Sequence, residues 1–338
     1  MIKTIRLPSG NIEYDYIKAD RLGKQNLQSG TSLEFCRSMP YNSEKLLKGA
    51  SRMALRDYCF DGSRTLKIKE IGTDAGPEKS KKQELIAQTA DNILKAAILQ
   101  EKLYAEQREG LVIALQARDA AGKDSLIKKV FSGLNPASLE VHSFKAPNPT
   151  ELSHDYLWRM NAALPARGKI GLFNRSQYED VLVVKVHHME KGYCMPARCI
   201  TDDFFEKRYS QLRNWEEYLY ENGYRMVKVF LNVSKETQRQ RFLERIERDE
   251  KHWKLSTADM RERAQWEAYD RAYEDCINAT GTEHSPWYVL PADTKWYTRY
   301  LMSQILVDVL TDMNPQFPPL DPEEAAKIPQ VMEELEAD

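Results

Sequence analysis

Long apolar runs are missing from this chain. Its opening, MIKTIRLPSG, has no apolar signal core, and nowhere is there an uninterrupted apolar stretch long enough to span a bilayer. Cysteine is scarce: Cys36, Cys59, Cys194, Cys199 and Cys276 are scattered over 338 residues without zinc-finger spacing, which argues for reduced thiols rather than a disulfide framework. His187 and His188 lie near Cys194 and Cys199, but the spacing fits no standard metal pattern. Neither charge dominates. With 49 Lys and Arg against 51 Asp and Glu the net charge is -2, so no global electrostatic case for nucleic acid arises. Internal repeats and low-complexity linkers are absent as well. The expectation is a soluble cytoplasmic protein that engages neither membrane nor nucleic acid. Its 42% hydrophobic content suits a packed core, as one large α/β domain or two small ones.

What is present is organised around Leu111–Ser125, LVIALQARDAAGKDS. A short continuous apolar run, Leu111 to Leu115, reads as a strand covered on both faces of a parallel sheet. A turn of small residues around Gly122 and Lys123 follows, and Leu126 to Phe131 restart with helical spacing. Strand, small-residue loop, lysine and helix make a phosphate cradle: backbone N–H groups of Ala120, Ala121, Gly122, Asp124 and Ser125 face an anion, and Lys123 adds positive charge. The copy departs from G-x-x-x-x-G-K-[ST] twice, with Ala117 at the first glycine and Asp124 where a magnesium-binding hydroxyl belongs. Asp119 compensates. A carboxylate inside such a loop repels phosphate unless a divalent cation lies between them, so it reads as a magnesium ligand.

Along the chain, residues 1–80 carry turn signals and little periodicity and read as an N-terminal extension; 81–312 form the principal domain and 313–338 a Pro- and Glu-rich tail. Lys81 to Glu109 has the spacing of a long amphipathic helix. Further strands are predicted at 139–144, 170–173, 225–231 and 287–290, giving five in all. Helices are predicted at Glu151–Ala163, Phe204–Glu221, Arg261–Ile277 and Tyr297–Leu310. Lys145 ends the second strand, either as a phosphate contact or as a solvated loop lysine. The third strand runs into Asn174-Arg175-Ser176-Gln177-Tyr178-Glu179-Asp180, where P-loop proteins keep a second magnesium-binding group. Asn174 brings no charge, so Glu179 is favoured for that role; Asp180 has the alternative of greeting a helix N-terminus. Ser234 is placed to cap a strongly charged segment that continues to Lys254, and a lid is assigned to about 234–262. Two readings stay open for it: a surface helix held by ion pairs such as Glu244 with Arg248, or a cationic lid closing on a transferring phosphoryl group.

Five segments together resemble the polyphosphate kinase 2 family, over about Lys81 to Leu310: QARDAAGKD from Gln116, SFKAP from Ser143, LPARG from Leu164, FNRSQYEDVLV from Phe173 and WYVLPAD from Trp287. The resemblance implies a P-loop kinase-type three-layer α/β/α fold, a five-stranded parallel sheet with a helical lid. It implies phosphoryl transfer from inorganic polyphosphate to AMP and ADP, forming ADP and ATP, with Mg2+ (or Mn2+) and a homo-oligomeric state, dimer or tetramer. Asp119 resembles the loop aspartate that binds magnesium, Lys123 the cradle lysine, Arg175 the arginine beside the transferred phosphate, and Arg241 a lid arginine. Asn174, Arg175, Asp180 and Asp293 are candidates for the nucleotide; Arg118, Lys145 and Lys254 for phosphate. Glu179, in place of asparagine, resembles the class III members that accept both AMP and ADP. Gln177, where an aromatic or histidine is commoner, and the N-terminal extension are departures. An ATP-dependent nucleoside monophosphate kinase shares the cradle and lid, and a non-catalytic polyphosphate or nucleotide sensor would keep the cations without needing Asp119 and Glu179.

Overall fold

An apolar strand is stable at the centre of a sheet only when both faces are covered, and the arrangement here follows from that requirement. The computed structural model describes residues 55–254 and 256–337. Strands β1 (Cys59–Phe60), β2 (Gly110–Ala117), β3 (Leu139–Ser143), β4 (Ile170–Asn174), β5 (Tyr224–Asn232) and β6 (Trp287–Pro291) form one sheet in the order β1-β6-β5-β2-β4-β3. All neighbours run parallel except β1, which pairs antiparallel with β6. The longer helices are α1 (Lys82–Glu106), α2 (Lys123–Val130), α3 (Phe204–Glu221), α4 (Lys235–Glu247), α5 (Ala258–Ala264), α6 (Trp266–Thr280), α7 (Lys295–Met313) and α8 (Pro322–Ala337).

β2 is central and buried along its whole length. Alternate side chains divide between the faces, as strand geometry demands. Leu111, Ile113 and Leu115 pack with Leu103 of α1, Leu126 and Val130 of α2, and Leu301 and Ile305 of α7. Val112 and Ala114 face Met160 and, from α3, Trp215 and Leu219. Towards β6 that second face continues with Phe230 and Val289 against Tyr209 of α3 and Tyr273 and Ile277 of α6. These are the three layers the sequence predicts. Because β4 and β5 flank β2, the strand order reverses there, and the C-terminal ends of β2, β4, β5 and β6 open on one side, where such sheets bind ligands.

The five predicted parallel strands are present, and the sheet gains β1 at its edge. The part of the expected extension that lies within the described residues is therefore integrated: Phe60, Leu66 and Ile68 are buried in the core. Residues 1–54 lie outside the described residues. The helix expected over Glu151–Ala163 is two short pieces, Pro149–Leu152 and Trp158–Ala162. Asn148 and Glu151 form a reciprocal capping box that starts the first, and Asp155 Oδ1 accepts from Leu157 N at 2.9 Å between them. The helix expected from Arg261 is likewise interrupted at Gln265, between α5 and α6. The tail carries an exposed helix, α8. Among the described residues no helix is long and apolar enough to cross a membrane.

Candidate active site at the strand ends

The cradle is built by backbone geometry. Between β2 and α2 the chain passes through Ala120 at φ 60° and Gly122 at φ 113°, left-handed values that let the loop curl back over the end of β2. Gly122 caps α2 without a side-chain hydrogen bond, so the first-turn N–H groups of α2 have no capping side chain to satisfy them. Ser125 Oγ donates to Gly122 O at 2.9 Å. Lys123 folds back beneath the loop, its Nζ donating to Ala117 O at 3.1 Å. Burial, together with the nearby Arg175, brings its ammonium down to about 8, although Asp119, Glu179 and Asp124 pull the other way.

β4 delivers the acidic half. Arg175 directly follows its last residue and sits at φ 64°, an uncommon conformation for an arginine and the kind of strain that clusters at functional sites. Its N–H donates to Leu115 O at 3.0 Å, which ties the turn to β2. Its guanidinium then reaches both carboxylates: Nη2 donates to Asp119 Oδ1 at 3.0 Å and Nη1 to Glu179 Oε2 at 3.5 Å. Burial raises the Glu179 carboxyl above its ordinary range, against the pull of Arg175 and Lys123 and with a push from Asp119. The Gln116 amide, with its nitrogen turned to the carboxylate, donates to Glu179 Oε1 at 2.8 Å and accepts from Ser176. Asn174 Nδ2 donates to Asp124 Oδ1 at 3.2 Å.

Several sequence-predicted cations are committed elsewhere. Arg241 lies on α4, but its guanidinium donates to four backbone carbonyls: Ala120 and Ala121 at 3.0 and 2.8 Å, and Ala292 and Asp293 at 2.7 and 3.1 Å. It clamps the cradle to the end of β6. Arg118 is buried, ion-paired with Asp270 and stacked 4.3 Å from the Trp266 ring centroid, so it fastens α6 to the loop. Asp180 accepts from Tyr193 Oη at 2.6 Å and is ion-paired with Arg208 at 2.8 Å. Asp293 Oδ1 accepts from Ser234 N at 2.8 Å and so anchors the start of α4. Lys254 pairs with Asp124 at 2.7 Å, bringing the lid segment onto the cradle. Together with burial, which alone would raise it, this leaves the Asp124 carboxyl below its ordinary range. Lys145 is exposed beyond the end of β3.

The two faces of α4 make different contacts. Outward, Arg248 pairs with Glu244 at 3.2 Å and Arg239 with Glu236 at 2.7 Å. Inward, Gln238 and Arg241 grip the loop, Gln238 Nε2 donating to Asp119 O at 2.9 Å. Ser234 caps the helix as expected, accepting from Thr237 N at 3.1 Å.

Residues that sequence reasoning passed over close the site. A small cleft is lined by Asp119, Arg175 and Glu179 and by Arg263, Trp266 and Tyr269. Arg263 Nη1 donates to Gln238 Oε1 at 2.9 Å, and Glu262 accepts from both His187 and Tyr269, at 2.8 and 2.6 Å, joining α5 to the turn after Glu179. Of these, Gln116 alone had a visible signal, an amide inside an otherwise apolar strand. Among the described residues no group of three or more His, Cys, Asp or Glu forms a metal cage. Two converging carboxylates do fit magnesium, which is commonly held by one or two protein carboxylates with substrate phosphates and water completing the shell.

Comparison with known proteins adds an independent line. The family model described as polyphosphate kinase 2 (PPK2) matches residues 79–318. The chain is 45% identical over 239 residues to the ADP-polyphosphate phosphotransferase of Rhodopseudomonas palustris, covering 70% of this chain and 83% of that one. It is 43% identical over 229 residues to the AMP/ADP-polyphosphate phosphotransferase of Meiothermus ruber, covering 68% and 81%. The crystal structure of polyphosphate kinase 2 from Arthrobacter aurescens TC1 superimposes with a TM-score of 0.73 at 36% identity, covering 84% of this chain and 97% of that one.

Proposed function

As the chain belongs to the polyphosphate kinase 2 family, we propose that it transfers a phosphoryl group from inorganic polyphosphate to both AMP and ADP, forming ADP and ATP. The observation that carries the site assignment is the convergence of Asp119 and Glu179 on Arg175 beside the half-buried Lys123. Phosphoryl transfer asks a protein mainly to align donor and acceptor and to neutralise charge spread over the equatorial oxygens. Lys123 and the first turn of α2 hold the nucleotide's terminal phosphate. Arg175 faces the transferring group from the opposite side and releases its carboxylates as phosphate arrives. Asp119 and Glu179 would hold magnesium, which supplies charge neutralisation between bound phosphates. Arg241, Gln238 and Arg118 keep the loop at a fixed height. No covalent enzyme intermediate is required.

Exposed Leu94 and Ile98 on α1 and Val331, Met332 and Leu335 on α8 support a homo-oligomer, dimer or tetramer, to be measured by light scattering. Free thiols at Cys59, Cys194, Cys199 and Cys276 support a cytoplasmic setting. The function is tested by incubating the protein with polyphosphate, MgCl2 and either AMP or ADP, with ATP detected by luciferase and ADP by chromatography. Both acceptors should be phosphorylated, and ATP offered in place of polyphosphate should phosphorylate AMP poorly. Absence of ATP from ADP and polyphosphate defeats the reading.

A further inference from the structure

Beneath the turn that carries Glu179 lies a charged network that the transfer reaction does not use. Lys228, in the interior of β5, is fully buried, and its Nζ donates to Glu216 Oε2 of α3 and to Thr280 O at the end of α6, both at 2.6 Å. Glu216 is buried too, and its other oxygen accepts from the Tyr178 hydroxyl. The Tyr178 ring is completely buried and packs edge-on against Trp287 at 4.6 Å between centroids. Burying an ammonium and a carboxylate is costly, and such pairs are often no more stabilising than apolar residues of the same volume. Stability alone gives little reason for the network.

Its geometry gives one. Tyr178 and Glu179 are adjacent in the short 3-10 turn Gln177–Asp180, one side chain pointing into the core and the next lining the cleft. The turn is stitched locally by Glu179 N donating to Ser176 O at 3.1 Å, a bond that sets its curvature but not its height above the sheet. At its start the turn is tied to β2 through Arg175 N and Gln116; on the core side its anchor is the phenol, held from below by Glu216, which Lys228 holds in turn.

We propose that Tyr178, held by Glu216 and Lys228, is a positioning residue that sets where the Glu179 carboxylate stands in the cleft. The proposal rests on the site reading given above. Groups that orient a ligand from behind are commonly worth tenfold to a hundredfold in affinity or rate, since small misplacements of a reacting constellation are expensive.

Two variants test it. Tyr178→Phe keeps the ring and leaves the Glu216–Lys228 pair intact; the triple variant Tyr178→Phe, Glu216→Leu, Lys228→Met removes every buried charge of the network. Asn92→Ala, at the α1–α7 contact away from the site, serves as a control for general destabilisation. Both network variants should lower kcat about tenfold with KM for polyphosphate changed less than about twofold, and the triple variant should unfold near the wild-type temperature. Calorimetric ADP binding should lose about tenfold of its MgCl2-dependent strengthening in the same variants. Wild-type kcat and undiminished magnesium dependence in a folded variant overturn the proposal, as does an equal kcat loss in Asn92→Ala. If the wild-type protein forms no ATP from polyphosphate, it is the activity that was misread, and the ADP-binding arm still decides the role of Tyr178.

Discussion

Asp119 and Glu179 share one guanidinium: Arg175 donates to the first at 3.0 Å and to the second at 3.5 Å, from different nitrogens. Two carboxylates brought together in a half-buried cleft repel each other, and Arg175 offsets that repulsion.

Loss of either end of the phosphate machinery should therefore be severe. Lys123→Ala and Asp119→Asn are each expected to lower kcat/KM at least about a hundredfold, since removing one preorganised electrostatic contact typically costs about 3 kcal/mol. Steady-state kinetics with ADP and polyphosphate check this, and near-normal turnover in either variant places the site elsewhere.

Glu179→Asn shortens the side chain by one methylene, keeps a polar group and removes a charge from the cleft wall. On the proposed reading it is Glu179 that lets AMP be accepted beside ADP. The variant should lose more kcat/KM for AMP than for ADP, measured in parallel with polyphosphate as donor. Equal losses remove the assignment of dual acceptor use to this position.

Arg241 shows where reading the sequence reaches its limit. Its spacing on a charged helix identifies a cation near the cradle, yet its four partners are the carbonyls of Ala120, Ala121, Ala292 and Asp293, which pattern cannot bring together. The partners of Arg118 and Asp180 were hidden for the same reason: Asp270 is supplied by α6, and Arg208 and Tyr193 come from a later stretch of chain. The inner strands β2 and β4 were legible because strands covered on both faces are nearly continuously apolar, and the Lys123 loop because its turn chemistry is local. β1 was not, since two residues carry no periodicity.

A lysine at position 241 separates the clamp from a phosphate-facing role. Arg241→Lys keeps the charge but offers one ammonium where two carbonyl pairs need a planar fork. It should destabilise the fold by about 2 kcal/mol, the scale of hydrogen bonds to a charged group, and lower kcat/KM about equally for AMP and ADP. Thermal unfolding and kinetics report the two effects separately. Wild-type stability with reduced turnover would instead indicate that the guanidinium acts on substrate.

The last prediction concerns pH. Lys123 sits at about 8 in the free protein against an ordinary 10.5, chiefly through burial, and must be protonated to hold phosphate. kcat/KM, which reports the free enzyme, should fall about tenfold per pH unit above about 8, whereas kcat should hold to higher pH because bound phosphate favours the ammonium. The sign of the stability effect is opposite. Between the folded and unfolded values the unfolded chain binds more protons at this lysine, so its contribution to stability rises with pH over that window, and the activity loss cannot be ascribed to this group unfolding the protein. Lys123→Arg, whose charge persists throughout, should be slower but show no basic limb near 8; retention of that limb would assign the titration to another residue.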